Sequence, residues 1–243
     1  KGQVGPGLAW PGRSTMDPQQ RILLQTAWRA VEDAGHGPGS LRGSRTGVFV
    51  GATSRDYDGI LQAAGRHREG HFITSSGHCL IANRLSYHLD LRGPSEAVDT
   101  ACSSSLTALH RGVTSIRAGE CDAAIVGGVH LFLTPDLFVA LGQLGVLSPD
   151  GRCATFDAQA NGMVRGEGAV AVLLKPLSRA LADGDTVHAV IRGSGVSHGG
   201  GRHASSLMMP EPAAQAELIT RVYRNAGVDP RTVAYVETHG TRH

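Results

Sequence analysis

The chain has 243 residues, of which 41% are apolar and 18% charged, a balance that suits a folded globular protein and excludes a disordered or fibrous one. Its 23 Lys and Arg against 21 Asp and Glu give a formal net charge of +2, spread without basic runs, which argues against nucleic-acid binding. No apolar run reaches the roughly 18 residues of a membrane span, and Lys1-Gly2-Gln3-Val4-Gly5-Pro6 lacks the apolar core of a signal peptide, so a soluble cytoplasmic protein without a membrane partner is expected.

Residues 1 to 13 carry no readable pattern. Asp17 followed by Pro18 marks a helix start, and Ile22, Leu23, Ala27, Ala30, Val31 and Ala34 recur at helical spacing up to Gly35. Residues 46–51 read as a short buried strand and 77–89 as a helical segment ending near Asp90. From Ala97 the chain runs strand-like into Cys102, then into a helix that keeps Leu106, Leu109, Val113 and Ile116 on one face. Apolar runs at 123–129, 169–174, 187–193 and 233–236 read as further strands, and Glu211-Pro212 opens a helix that closes near Gly227. This alternation predicts an α/β fold with a mainly parallel sheet covered on its faces, in which 123–129 and 169–174 are placed to pair. Of the 33 glycines, some are adjacent, as at Gly127-Gly128 and Gly199-Gly200, and others stand at the ends of apolar runs, as tight turns and close backbone approaches require.

Cys79, Cys102, Cys121 and Cys153 form no CxxC pair, so neither a zinc ribbon nor a thioredoxin-like site is indicated and free thiols are expected. For Cys79, Cys121 and Cys153 the expectation is packing as small buried hydrophobes. Cys102 differs. A helix start offers unpaired backbone N–H groups that favour negative charge, and Ala101, Ser103, Ser104 and Ser105 leave space for an acyl group to approach the sulfur. Position alone leaves the nucleophilic and the packed readings of Cys102 evenly balanced.

The residues around it resolve that balance. Val98-Asp99-Thr100-Ala101-Cys102-Ser103-Ser104-Ser105-Leu106 resembles the active-site motif of β-ketoacyl synthases, in particular the ketosynthase domains of modular type I polyketide synthases. Met16-Asp17-Pro18-Gln19-Gln20-Arg21, Ile81-Ala82-Asn83-Arg84-Leu85-Ser86-Tyr87, Leu147-Ser148-Pro149-Asp150-Gly151-Arg152-Cys153, Arg165-Gly166-Glu167-Gly168 and Glu237-Thr238-His239-Gly240-Thr241 resemble further family motifs in family order. The resemblance spans about Met16 to Thr241.

It implies a thiolase-like layered α/β fold of two similar halves, with the N-terminal half (about 14–180) nearly complete and the C-terminal half (about 181–243) only begun. It implies a homodimer working beside other polyketide synthase domains. It also implies a reaction: an acyl group passes from an acyl carrier protein to Cys102, and a malonyl-type extender on a carrier protein loses carbon dioxide and attacks the resulting thioester. His239 is then one of the catalytic histidines that stabilise the enolate oxygen. No cofactor or metal is implied, the phosphopantetheine arriving on the carrier protein.

The family's second catalytic histidine, the lysine motif before it and a glycine-rich oxyanion loop are not among the 243 residues, residues 1 to 13 do not match the family's opening strand, and Arg242 and His243 replace small residues. A piece of a longer domain, truncated at both ends and unable to condense alone, is therefore expected. Met163 stands where an aromatic residue is usual, and Ser197-His198-Gly199-Gly200 resembles the turn of ketosynthases served by separately encoded acyltransferases. Competing readings are a ketosynthase-like domain that only holds or transfers acyl chains, a cysteine hydrolase with a Cys–His pair, and a metal site on His198, His203 and His239, which lacks a carboxylate or thiolate ligand. Glu167 is a candidate for holding the site, with a structural ion pair or turn the stronger expectation. Residues 131–133 and 137–138 are candidates for core, dimer interface or acyl tunnel.

Overall fold

Helix α1 (Pro18–Asp33) begins as its sequence dictates: the Asp17 carboxylate accepts the Gln19 N–H at 2.8 Å, and Pro18 occupies the first helical position. The computed structural model describes residues 15–37, 39–200 and 209–241; the expectations for residues 1 to 13, His203, Arg242 and His243 lie outside them. The described chain forms two units, one built from residues up to 133 with 167–190, the other from 134–166 with the residues from 191 onward.

The first unit holds a four-stranded sheet in the order β2-β1-β3-β4, with β1 (Thr46–Gly51), β2 (Ser95–Val98), β3 (Ala123–His130) and β4 (Gly168–Leu174). β1 pairs parallel with β2 and with β3, and β4 joins β3 antiparallel, Val126 opposite Val172. The expected pairing of 123–129 with 169–174 is thus present. Alternation along the strands separates two cores. Val48, Val50, Ile125 and Val129 point to the face covered by Leu23, Ala27 and Val31 of α1 and by Ile81, Ala82 and Leu85 of α4 (Leu80–Leu89). Phe49, Ala124 and Val126 point to the opposite face, against Ala108 of α5 (Ser104–Arg117) and the buried Cys121. Burying each large side chain of this kind contributes about 1.5–3 kcal/mol.

Between β1 and α4 run α2 (Asp56–Ala63) and α3 (Phe72–Ser76); α7 (Leu177–Asp183) follows β4. The helix read over 77–89 begins later than expected, because Gly77 caps α3 and α4 starts at Leu80. Along α1, Ile22 is 38% exposed while Gln19 and Gln20 are buried. These glutamines face polar backbone rather than the sheet: Gln20 Nε2 donates to Ser75 O and Gln19 Nε2 to Ser54 O, each at 3.2 Å, and Arg84 Nε donates to Gln20 Oε1 at 2.7 Å. Burial pulls the Arg84 guanidinium below its usual value and pushes the Asp17 carboxyl up.

The face read for α5 holds at Val113, which is buried, and at Leu109 and Ile116, which pack partly buried against the Phe49 core, and departs at Leu106. Ser104, Ala108, Gly112, Val113 and Ser115 are buried and Leu106 is 71% exposed. Glycines set this face: a Cβ on Gly112 would lie 2.7 Å from Val126 Cγ2, so helix and sheet approach too closely for larger side chains between them.

In the second unit, the α-helices among the described residues are α6 (Asp136–Gln143) and α8 (Pro212–Ala226), with a 3-10 turn at Pro230–Thr232. Glu211 caps α8 by accepting the Ala213 N–H at 3.2 Å, and Gly227, at φ 61°, ends it. Gly193 and Gly195 lie against α8, where a Cβ would meet Val222 at 3.2 and 2.7 Å. The segments 187–193 and 233–236, read as strands, are not strands in the structure. A strand exists through its ladder, and among the described residues neither segment takes part in one.

Candidate active site

The parallel strands β1, β2 and β3 end together, Gly51 opposite both Val98 and Gly128, and β4 starts at that same end because it runs the other way. The carboxyl end of a parallel sheet is where loops of an α/β protein gather functional groups. Cys102 lies there, exposed, in the turn from β2 into α5. It stands two residues ahead of the first helical residue rather than opening the helix itself, with Ser103 as the N-cap.

The turn is held tightly. Ala101 adopts φ 55°, a left-handed conformation that costs an alanine about 1–2 kcal/mol. Ser104 clamps it: the buried hydroxyl donates to Ala101 O at 2.5 Å and accepts the Thr100 N–H at 2.9 Å. Asp99 Oδ1 accepts the Ala101 N–H at 3.2 Å, and Ser103 Oγ donates to Thr100 O at 2.8 Å. Beneath the turn are two register partners without side chains. A Cβ on Gly51 would lie 2.5 Å from the backbone of Ser104 and Ser105, and one on Gly128 would lie 2.8 Å from Ser105 Cβ. These glycines let the start of α5 rest on the strand ends, which aims Cys102 outward.

Beyond β3, the loop 131–133 joins the same end of the sheet. The Phe132 N–H donates to Glu167 Oε1 at 2.6 Å and the Leu133 N–H to Asp56 Oδ2 at 3.1 Å. Glu167 therefore bonds a backbone amide. Residues 131–133 are half-buried and Leu137 is 46% exposed, so neither segment belongs to the core.

His239 lies in the second unit and is exposed. Its neighbour Gly240 has φ 67°, and Gly240 O accepts the Thr155 hydroxyl at 2.8 Å, which ties the His239 loop to the segment following Cys153. A Cβ on Gly240 would sit 2.9 Å from Thr155 Oγ1. Upstream, the Tyr235 hydroxyl bonds the Glu237 carboxylate, which pushes the Tyr235 hydroxyl above its usual value. The two residues singled out for chemistry thus fall in different units, each on a glycine-dependent turn.

Of the remaining cysteines only Cys121 is the small buried hydrophobe expected, its thiol 3.4 Å from Ser115 Oγ. Cys79 and Cys153 are exposed. Cys79 immediately precedes α4 on its outer side, and Cys153 Sγ accepts the Val164 N–H at 3.1 Å. Among the described residues no group of three His, Cys, Asp or Glu side chains is arranged to hold a metal, and His198 Nδ1 accepts the Gly200 N–H at 2.9 Å. Among the described residues no helix is long and apolar enough to cross a membrane. The roles of Asp56 and Ser104 are not visible in the sequence. Ser104 reads there only as a small residue, and nothing local to Asp56 points to residue 133.

Comparison with known proteins agrees with this arrangement. The family model of the β-ketoacyl synthase N-terminal domain matches residues 8–180 and that of the C-terminal domain residues 188–242. The polyketide synthase PksN of Bacillus subtilis is 46% identical over 226 residues, which cover 93% of this chain and 4% of that protein. The polyketide synthase ThaG of Burkholderia thailandensis is 52% identical over 225 residues, 93% of this chain and 4% of that protein. Among solved structures, an oxazolomycin ketosynthase domain of Streptomyces albus superposes with a TM-score of 0.86 at 44% identity, covering 93% of this chain and 39% of that one. The ketosynthase from module 6 of the Bacillus subtilis bacillaene synthase gives 0.84 at 39% identity, covering 93% and 38%. The chain therefore spans a small part of these curated relatives and under two fifths of each of these structures.

Proposed function

The chain belongs to the β-ketoacyl synthase family, with the mixed α/β fold of the thiolase-like ketosynthase domains, and from that premise we propose that it takes part in decarboxylative condensation during polyketide synthesis. Cys102 is the nucleophile in this reading. Its sulfur attacks the carbonyl carbon of an acyl thioester on an acyl carrier protein; a new carbon–sulfur bond forms, the old one breaks, and the pantetheine thiol leaves with the proton. A malonyl-type extender on a carrier protein then loses carbon dioxide, and its carbanion attacks the Cys102 thioester, forming the carbon–carbon bond and releasing the thiolate. His239 donates a hydrogen bond to the enolate oxygen that develops as carbon dioxide leaves.

The observation that carries the reading is the exposure of Cys102 at the carboxyl end of the sheet, on a turn held in a costly backbone conformation by a buried hydroxyl. Strain retained beside a thiol suits a group that must be presented in one orientation. No cofactor enters, because the pantetheine belongs to the carrier protein. The remaining elements of the proposal are a homodimer, a cytoplasmic location, neighbouring polyketide synthase domains as partners, a division into halves near residue 180, and no condensation by the 243 residues alone.

The test is incubation with an acyl thioester followed by peptide mass mapping. Label is expected on Cys102 and absent from Cys102→Ala. Label confined to Cys79 or Cys153, or unchanged in the variant, would overturn the assignment. Persistence of the acyl group in buffer separates this activity from a cysteine hydrolase, which would release it within minutes.

A further inference from the structure

Two consecutive backbone amides just beyond β3 are each held by a carboxylate from a different element. Glu167 immediately precedes β4 and holds the Phe132 N–H at 2.6 Å; Asp56 opens α2 and holds the Leu133 N–H at 3.1 Å. The Phe132 ring is restrained as well, standing edge-on to the His130 ring with centroids 5.0 Å apart and an interplanar angle of 83°. One short stretch is pinned from three directions.

Water could satisfy the amides of a surface loop, so two carboxylates spent on adjacent ones call for a reason beyond solvation. Hydrogen bonds to an ionised acceptor are roughly twice as strong as neutral ones, and here they fix a backbone whose side chains are apolar and half-buried. The loop also lies close to the nucleophile's turn. Gly128, three residues before Leu131, is packed under Ser105, itself three residues after Cys102. With a rise of about 3.3 Å per residue, Leu131 lies within roughly 10 Å of that contact. A chain attached to Cys102 extends from this end of the sheet.

We propose that Asp56 and Glu167 are positioning residues for acyl-chain selection: by fixing the backbone of Phe132 and Leu133, they set the apolar surface along which an acyl chain on Cys102 runs, and hence the chain lengths accepted. The proposal rests on the reading of Cys102 as the acyl-accepting nucleophile. Neither carboxylate takes part in bond making. Each acts through an amide it holds.

The experiment compares initial rates of Cys102 acylation by the acetyl and octanoyl thioesters of N-acetylcysteamine in the intact protein, by peptide mass mapping. In each, the Cys102 sulfur bonds the carbonyl carbon and N-acetylcysteamine departs with the proton. The octanoyl-to-acetyl rate ratio is expected to fall about tenfold in Glu167→Ala and Asp56→Ala, the scale on which apolar pockets discriminate. It should stay within about twofold of wild type in Glu167→Gln and Asp56→Asn, whose side-chain oxygens still accept a hydrogen bond. An unchanged ratio in Glu167→Ala, or an equal loss of both rates together with a lowered unfolding midpoint, would overturn the proposal while leaving the nucleophile in place. Wild-type protein that neither thioester acylates would instead overturn the parent reading. Should Glu167→Ala not fold, Asp56→Ala supplies the same comparison from a separate element.

Discussion

Gly51 supports Ser104 directly: the first strand of the sheet ends in a residue whose missing side chain leaves room for the opening turn of α5, and a Cβ there would stand 2.5 Å from the Ser104 carbonyl carbon. Neither backbone can yield without moving the other, and Cys102 lies two residues away from that contact. Presentation of the thiol is therefore tied to a glycine far upstream in the chain.

Gly51→Ala is expected to cost about 1–3 kcal/mol in denaturant unfolding, as overpacking does. It should also slow Cys102 acylation at least about tenfold, because displacement of a reacting group by about 1 Å costs more than that. Gly59→Ala is the control. Gly59 lies in α2 with nothing within 4 Å of an added Cβ, so alanine there should stabilise by up to about 1 kcal/mol through helix propensity.

Ser104→Ala removes the hydroxyl that spans Thr100 N–H and Ala101 O. A loss of about 1–2 kcal/mol is expected from the unsatisfied amide, with slower acylation. Ala101→Gly tests the same turn from the other side. Relief of the left-handed alanine should raise stability by about 1 kcal/mol, yet acylation should not quicken, because a glycine leaves the turn freer to wander. Faster acylation in Ala101→Gly would argue that the strain does not serve the thiol.

Lys175 is largely buried, and its ammonium sits 2.5 Å from Asp183 and 2.6 Å from Asp185. Burial alone would lower its pKa; the two carboxylates reverse that and hold it above the usual value. A group raised in the folded state contributes stability that is present below its unfolded value and lost as pH rises through the folded one. Lys175→Met should accordingly destabilise by about 3 kcal/mol at neutral pH, leaving the buried Asp185 carboxylate with only His36 Nε2, at 3.2 Å, beside it among the described residues. The difference from wild type should stay level from about pH 6 to 9 and narrow only above roughly pH 10, where the unfolded chain begins to lose its proton.

Asp17 is raised as well, but by burial rather than by a partner. Burial raises its carboxyl despite the hydrogen bonds from Gln19, so the folded state takes up this proton more readily than the unfolded chain. Its contribution is complete below the unfolded value and is lost as pH climbs past the folded value. Asp17→Asn keeps an oxygen for the Gln19 N–H and carries no charge to bury. The variant is expected to match or exceed wild-type stability at about pH 7, with the margin shrinking toward about pH 4; unfolding midpoints at both values check it.

Elements set by local chemistry were legible. Asp17-Pro18 and Glu211-Pro212 mark helix starts because a cap needs only its nearest neighbours. The turn at Cys102 was legible as a strand giving way to a helix. On α5, Leu109, Val113 and Ile116 fall on the packed face as read, whereas Leu106 does not, because Gly51 and Gly128, brought beneath the helix start by the sheet, seat Ser104 and Ser105 there instead. The runs 187–193 and 233–236 have strand composition, but a ladder requires a partner that composition cannot supply. The same separation hid Asp56, whose amide partner lies 77 residues away.

The antiparallel β4 has a consequence for synthesis. Residues 134–166 belong to the other unit, so a ribosome emits β3 and then the whole excursion before the strand that covers β3's outer edge emerges. Until then the nascent chain carries Ala123–His130 with one row of amides and carbonyls bare, a ready template for another polypeptide. Chaperone occupancy during translation should be greatest between the emergence of β3 and that of Leu174.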